Sequence, residues 1–278
     1  MSDESLNMNS LKTAKCIAFA NLKGGTGKTT TCVNTAGYLV KSQEDCQVLV
    51  VDFDPQANAT SGLGIDETTL EYSLYDAVLD QCDGYSGASI TQIILGTHVE
   101  NLHLAPSELN LGSAPMLMSK VKDPVSVLAK ILQPIKQFYD YILIDVPPDA
   151  GWFMFNSLCC ADRLVVPLDS SIFSLEALAK LQLYCRDIQE IKGKTHELTL
   201  VLNQYKKSKS KSSLPPKKLS PCEDIEQELK KMSAPLFLIP ESILIYRSQQ
   251  EGVPISHYPS PTSQIGKAYQ AIAQHLMD

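Results

Sequence analysis

The sequence has no long hydrophobic run. No apolar stretch in its 278 residues approaches the roughly 20 residues that a membrane-spanning helix requires. The N-terminal segment MSDESLNMNSLKTAK is polar and lacks the apolar centre of a secretory signal peptide. We therefore expect a soluble, cytoplasmic protein without a membrane partner.

Metal-binding cysteine pairs and an excess of positive charge are also missing. The chain has eight cysteines, but none forms a C-x-x-C pair, so the spacing does not support zinc or iron–sulfur ligation. Several lie in apolar runs, which is typical of small core residues in a reduced protein. The net charge of −7 excludes a protein coated in positive charge, although it does not exclude a local basic patch.

Short apolar runs recur along the chain and are separated by helix-like segments. Most runs are continuous rather than alternating, which is typical of strands buried on both faces of a sheet. They span residues 16–22, 47–54, 102–107, 141–148, 163–169, 198–205 and 236–242. Strands that alternate with helices predict an α/β fold, with a mainly parallel sheet between two layers of helices.

We predict a single domain over residues 15–278, preceded by a disordered or extended tail at residues 1–14. One segment of the domain, YKKSKSKSSLPPKKLSP at residues 205–221, contains six lysines, two adjacent prolines and many serines. This composition is too polar to pack and indicates an exposed loop.

A one-sided apolar stripe marks the last helix. Thr262 or Ser263 can cap this helix, and the stripe runs from Ile265 to Leu276. Its polar face carries only Lys267 as a cation, whereas helices that lie on membranes usually carry several basic residues there. The pattern therefore favours a helix packed on the sheet.

A glycine-rich segment, NLKGGTGKTTT at residues 21–31, lies between the first predicted strand and a helix. This is the context of a phosphate-binding loop, in which glycines let successive N–H groups converge on phosphate oxygens at a helix N-terminus. Lys28 can reach the β- and γ-phosphates, and the Thr29 hydroxyl can bind Mg²⁺. The common pattern has a glycine where this chain has Leu22, and an extra lysine, Lys23, follows.

Two aspartates, Asp52 and Asp145, end buried strands. Because ligands of open α/β sheets bind beyond the carboxyl ends of the strands, both aspartates can face the phosphate loop. Asp145 has the Walker B arrangement, in which a carboxylate supports the Mg²⁺ shell. The candidate Mg²⁺ ligands are therefore Thr29, Asp52 and Asp145.

These motifs resemble those of the ParA/MinD family of deviant Walker A ATPases. KGGTGKTT (23–30) is similar to the family's phosphate loop, and VVDFDPQANATSGLG (50–64) and DYILIDVPPDAG (140–151) are similar to its next two motifs. The resemblance covers nearly the whole chain, and residues 65–101 and 205–221 match least. It is closest to the small ParA-type branch, which has no N-terminal operator-binding domain, and it implies a three-layer P-loop NTPase fold.

The resemblance implies an enzyme that dimerises when ATP is bound. In the family, two protomers close face to face, and the early lysine, here Lys23, reaches the phosphates of the other subunit as an arginine finger does. The aspartate matched to Asp52 positions the attacking water. The catalytic candidates are Lys23, Lys28 and Asp52, and the expected cofactors are ATP and Mg²⁺. Asp54-Pro55-Gln56 and Pro147-Pro148 are predicted to be the two switch segments.

Two groups of residues are candidates for contacts with the nucleotide. Those of the phosphate loop are Gly24, Gly25, Thr26, Gly27, Lys28, Thr29 and Thr30. Those that follow later strands, where the family holds adenine, are Asn203, Pro240, Glu241 and Ser242.

Binding of non-specific DNA stays open. Most ParA relatives use arginines in a stretch resembling I-P-R-x-x-R, and here Glu241 and Leu244 occupy the corresponding positions. The lysine-rich loop can supply weak, salt-sensitive phosphate contacts, or it can be a solvated linker. The candidate DNA contacts are Lys206, Lys207, Lys209, Lys211, Lys217, Lys218 and Arg247.

The expected role is DNA partitioning or the positioning of a cellular cargo on the nucleoid. A ParB-like protein or a cargo adaptor is expected to stimulate slow ATP hydrolysis. One alternative is a MinD-like spatial regulator recruited to membrane, against which the missing basic C-terminal helix counts. Another is an adaptor that uses ATP to bind a partner protein and never binds DNA, which the residues at 241 and 244 keep open.

Overall fold

Eight strands form one sheet in the part of the chain that the structure describes. The structure is a computed structural model, and it describes residues 13–206, 220–260 and 262–278. The strands are β1 (Lys15–Phe19), β2 (Val48–Asp52), β3 (Leu95–Gly96), β4 (Leu102–Ala105), β5 (Tyr141–Asp145), β6 (Arg163–Leu168), β7 (Glu197–Tyr205) and β8 (Leu236–Pro240). Their order is β3-β4-β2-β5-β1-β6-β7-β8, and only β3 is antiparallel to its neighbour.

Helices cover both faces of the sheet, which confirms the predicted three-layer α/β fold. They are α1 (Lys28–Ser42), α2 (Asn58–Gly62), α3 (Leu74–Asp80), α4 (Ile90–Ile93), α5 (Ala114–Met118), α6 (Val127–Leu132), α7 (Trp152–Cys160), α8 (Ile172–Lys192), α9 (Pro221–Lys230), α10 (Ile243–Gln250) and α11 (Gln264–Met277). Helices α1, α2, α10 and α11 pack on one face, and α3 to α9 pack on the other.

Burial on both faces explains the continuous apolar strands. In β1, Cys16 and Ala18 belong to the hydrophobic cluster on one face, whereas Ile17 and Phe19 belong to the cluster on the other. Successive side chains of a strand point to opposite faces. A central strand of this sheet therefore has no face on which a polar residue is favoured.

The helix nearest the C-terminus packs on the helix that follows the glycine loop. Ser263 caps α11 as predicted, accepting a hydrogen bond from the Gly266 amide at 3.3 Å. Tyr269 of α11 is fully buried; burial raises its pKa, and a hydrogen bond with Thr31 of α1 opposes that rise. The N-terminal half of α11 therefore lies beside the start of α1.

The two ends of the segment predicted to be an exposed loop, residues 205–221, belong to regular elements. Tyr205 still belongs to β7, and Ser220 already caps α9 in a capping box with Glu223. Residues 207–219, and most of the predicted tail, lie outside the described residues. None of the eight cysteines forms a disulfide, and six of them are buried. In the described ranges, no helix has the length and hydropathy to cross a membrane.

Candidate functional site

The glycine loop between β1 and α1 has the backbone of an anion site. Gly25 and Gly27 adopt φ values of 75° and 86°, in the left-handed region that glycine tolerates best. Gly27 is the N-cap residue of α1, no side chain caps the helix, and its first turn contains no acidic residue. The positive end of the helix dipole and its free N–H groups are thus open to an anion.

A cavity of about 590 Å³ lies over this loop. All predicted loop contacts except Thr26 line it, together with residues that follow β2 and β5, Gln204 of β7 and Gln249 of α10. The lining residues are Gly24, Gly25, Gly27, Lys28, Thr29, Thr30, Asp54, Gln56, Asn58, Ser61, Gly62, Pro148, Gln204 and Gln249. Both predicted switch segments, 54–56 and 147–148, therefore border the site.

A smaller cavity of about 140 Å³ adjoins the first, and Gly27, Thr30 and Gln204 line both. The predicted adenine contacts come together here with apolar side chains of β8, α10 and α11. The remaining lining residues are Thr26, Asn203, Ile239, Pro240, Glu241, Ser242, Ile245, Ile265 and Tyr269. Asn203 also fixes the loop, since its Nδ2 donates to the Thr26 carbonyl at 2.7 Å.

Lys28 is the cation of the larger cavity. Its side chain is buried, and Nζ donates to the Lys23 carbonyl at 3.3 Å. Burial lowers the pKa of Lys28, and the Asp145 and Asp54 carboxylates oppose that shift. An ammonium held among backbone and carboxylate oxygens at a helix N-terminus is suited to bind phosphate.

Asp145 has the environment of a cation ligand. It is fully buried, and no hydrogen-bond donor of the described residues meets either carboxylate oxygen with good geometry. Burial and the neighbouring Asp52 raise the pKa of Asp145, whereas the Thr29 side chain lies close enough to oppose the rise. A buried carboxylate without a donor is costly unless a cation joins it. The hard oxygens of Asp145 and Thr29 therefore fit Mg²⁺.

Asp52 lies beside Asp145, and like Asp145 it is not among the residues that line the larger cavity. The two residues are partners in the β2–β5 register. Asp52 Oδ2 accepts from both the backbone N and Oγ1 of Thr60 at 2.7 Å, and Oδ1 accepts from the Asp54 amide at 3.3 Å. Burial raises the pKa of Asp52 to about 7, although the Thr60 and Asp54 hydrogen bonds oppose the rise. Neither Asp52 nor Asp145 has exposed surface. They differ because Thr60 and Asp54 donate to the Asp52 carboxylate, whereas the Asp145 oxygens have no such donor among the described residues.

Sequence analysis named Asp54 as part of a switch segment but not as a candidate catalytic or metal-binding residue. It lines the larger cavity, and its charge acts on Lys28. Its Oδ1 accepts from the Gln56 amide at 2.9 Å. Asp54 is the second aspartate of VVDFD, residues 50–54. The sequence pattern alone does not show that β2 ends at Asp52 and that Asp54 therefore lies beyond the strand.

Lys23 lies outside the cavity that Lys28 serves. Its ammonium bonds the Asp169 carboxylate, and it donates to Ser171 Oγ at 2.9 Å. Both groups belong to the turn between β6 and α8 of the same chain. The loop thus carries two lysines, of which Lys28 lines the larger cavity and Lys23 does not.

The surface predicted to contact DNA contains few free cations in its described part. Lys206 pairs with Glu241 at 2.5 Å, so its charge is compensated. Arg247 lies on α10, whose exposed residues include Ile243 and Tyr246, while Leu244 packs against the core. The other predicted contacts, Lys207, Lys209, Lys211, Lys217 and Lys218, lie outside the described residues.

A parallel sheet that carries this glycine loop, with buried aspartates at the ends of two neighbouring strands, defines a P-loop NTPase. Residues 14–199 match the model of a family described as an AAA domain. The chain belongs to the ParA/MinD family of P-loop ATPases.

Proteins of this family resemble the chain over most of its length. Sporulation initiation inhibitor protein Soj of Bacillus subtilis is 39% identical over 176 residues, which cover 63% of this chain and 66% of that protein. Chromosome-partitioning ATPase Soj of Treponema pallidum is 29% identical over 95% of this chain and 97% of its own length. The solved complex of a Cyanothece McdA variant with ATP has a TM-score of 0.81 at 21% identity, covering 96% of this chain and 97% of that one.

Proposed function

We propose that the chain is an ATPase switch of the ParA type that dimerises with ATP and acts in DNA partitioning or in positioning a cellular cargo. The observation that carries this proposal is the second lysine of the phosphate loop. Lys28 lines the cavity of its own chain, whereas Lys23 stands outside it. A cation on the loop that does not serve its own nucleotide is available to the nucleotide of a second copy.

The bound nucleotide is ATP with Mg²⁺. The loop amides and Lys28 hold the phosphates, and the smaller cavity beside Asn203 holds the base. Thr29 and Asp145 hold Mg²⁺, which neutralises phosphate charge when bound. Asp52 supports Asp145 from behind, without contact with the nucleotide. Support comes from the relatives, which include a chromosome-partitioning ATPase and an ATP complex of McdA.

We assign to Asp54 the orientation of the attacking water, the role that the family resemblance implied for Asp52. Asp54 reaches the cavity and Asp52 does not, because Thr60 holds the Asp52 carboxylate. A group that orients water must lie within hydrogen-bond reach of the reacting atoms. Lys23 of a second copy stabilises the charge that develops on the phosphates during transfer.

Light scattering with ATP, and with ADP as reference, tests the switch. We expect a dimer with ATP only. Lys28→Ala should lose nucleotide binding and therefore the dimer. Lys23→Ala should bind nucleotide yet stay monomeric, while the matched control Lys130→Ala, an exposed lysine on α6, should dimerise normally. A Lys23→Ala protein that dimerises like the wild type contradicts the proposal.

Turnover separates the two aspartates. Asp54→Ala should keep the ATP-dependent dimer and lose most hydrolysis, since it removes a group that acts only on the attacking water. Asp52→Asn, which keeps the shape of the side chain, should hydrolyse ATP faster than Asp54→Ala does. The reverse order would return the role to Asp52.

A second candidate function is an ATP-dependent adaptor that binds a protein and not DNA. The apolar and acidic surface around α10 favours it, because Ile243 and Tyr246 are exposed and Glu241 compensates Lys206. Binding of ATP-loaded protein to non-specific duplex DNA over a salt series decides between the two. A partitioning ATPase associated with the nucleoid predicts binding that falls steeply with salt, and no binding at low salt favours the adaptor.

A further inference from the structure

Lys23 makes an ion pair that sequence analysis did not anticipate. Its ammonium contacts the Asp169 carboxylate and Ser171 Oγ, and its backbone N donates to Asn21 Oδ1 at 3.0 Å. The side chains of Lys23 and Asp169 retain 27% and 25% of their solvent exposure. The pair is therefore partly shielded from solvent, and yet it lies at a surface that a second molecule can reach.

Asp169 is held in place independently of the lysine. It directly follows β6, and its Oδ1 accepts from Ser174 Oγ at 2.6 Å and from the Ser171 amide at 3.0 Å. Burial alone disfavours its ionisation, but hydrogen bonds from Lys23, Ser174 and Ser171 hold the pKa of Asp169 at about 2. A fixed, charged acceptor binds a flexible lysine at less entropic cost than a mobile one does.

We infer that Asp169 is a positioning residue that retains Lys23 on its own chain and thereby opposes dimerisation. This inference rests on the proposed function, in which the same ammonium serves the nucleotide of a second copy. The cis contact with Asp169 and the trans contact with phosphate compete for one lysine. The triphosphate of a second copy has to displace Asp169 before the dimer can close. The contact therefore raises the dissociation constant of the ATP-bound dimer.

Symmetry multiplies the effect of the contact. A face-to-face dimer of identical chains has a twofold axis, so two Lys23–Asp169 pairs are broken for each dimer formed. Exposed and partly exposed ion pairs contribute little to stability. We therefore expect each Lys23–Asp169 pair to weaken the ATP-bound dimer by about threefold in its dissociation constant. Removal of the Asp169 charge should then strengthen the ATP-bound dimer by roughly tenfold.

Analytical ultracentrifugation of the full chain with a non-hydrolysable ATP analogue tests this. Asp169→Asn removes the charge but keeps an acceptor for Ser171 and Ser174, and we expect its dimer dissociation constant to fall by roughly tenfold. The matched control Asp123→Asn removes an equal charge from the exposed Lys192–Asp123 pair. It should leave the constant unchanged. Thermal unfolding of each variant checks that the fold is intact.

Salt and a double variant separate retention from a structural effect. The difference between wild type and Asp169→Asn should shrink as salt rises, since screening weakens the ion pair. Lys23→Ala is expected to be monomeric, and adding Asp169→Asn to it should not restore an ATP-dependent dimer. A dimer dissociation constant that is unchanged or higher in Asp169→Asn overturns the inference. A lower constant whose difference from the wild type does not depend on salt overturns it as well. Normal dimerisation of Lys23→Ala would instead refute the proposed function itself.

Discussion

Replacement of Gly27 by alanine measures how closely the phosphate loop is built against β7. Gly27 has a φ of 86°, and a Cβ on it would lie 2.7 Å from Asn203 Nδ2 and 3.3 Å from its Cγ. The left-handed backbone alone costs an alanine about 1–2 kcal/mol. Displacement of Asn203 also breaks its buried hydrogen bond to Thr26, which costs about 1 kcal/mol more. We expect Gly27→Ala to lower the free energy of unfolding by roughly 2–3 kcal/mol.

Gly25 supplies the matched control. Its φ is 75°, but no atom of the described residues lies within 4 Å of a Cβ placed there. Gly25→Ala should therefore show the backbone cost alone, about 1–2 kcal/mol. Urea denaturation followed by the fluorescence of Trp152, the single tryptophan, measures both. Asn203→Ala in the Gly27→Ala background should cost little more, because the hydrogen bond between Asn203 and Thr26 is already broken. Equal losses for the two glycine variants would refute the reasoning.

Three further predictions concern the buried groups around the site. Thr60→Val removes the hydroxyl that donates to Asp52 at 2.7 Å and should lower the free energy of unfolding by about 2–3 kcal/mol, measured in urea; Thr60→Ser, which keeps the hydroxyl, should lose less. Asp145→Asn should abolish the increase in ADP affinity that Mg²⁺ gives the wild type, and calorimetry with and without a chelator would reveal any increase that survives. Gly37→Ala should destabilise the protein by about 1–3 kcal/mol, because a Cβ at this position would lie 2.3 Å from Ser256 Oγ. Helix propensity alone predicts that alanine stabilises α1, so a variant that unfolds at higher urea than the wild type would contradict this reasoning.

The strands were predictable because both of their faces are buried. Seven strands coincide with continuous apolar runs, and burial on both faces leaves such a run in the sequence. β3 was missed because it has two residues and pairs antiparallel at the edge, too short for any pattern. The loop between β1 and α1 was predictable because phosphate binding fixes both the residue types and their spacing.

Two features of the site could not be read from the sequence, for different reasons. The roles that we propose for Asp52 and Asp54 depend on where β2 ends and on the position of Thr60, whose amide and hydroxyl both donate to the Asp52 carboxylate. The contact between Lys23 and Asp169 joins residues 146 positions apart. No local pattern records such a pair, because the sheet brings β1 and β6 together only after folding.

The packing of α11 on α1 has a consequence for biosynthesis. Ile265 and Tyr269, which line the cavity assigned to the base, follow every strand in the order of translation. A nascent polypeptide that has already made its glycine loop still lacks one wall of the pocket until these residues leave the ribosome. A product truncated before Ile265 therefore lacks the apolar wall that α11 gives the smaller cavity.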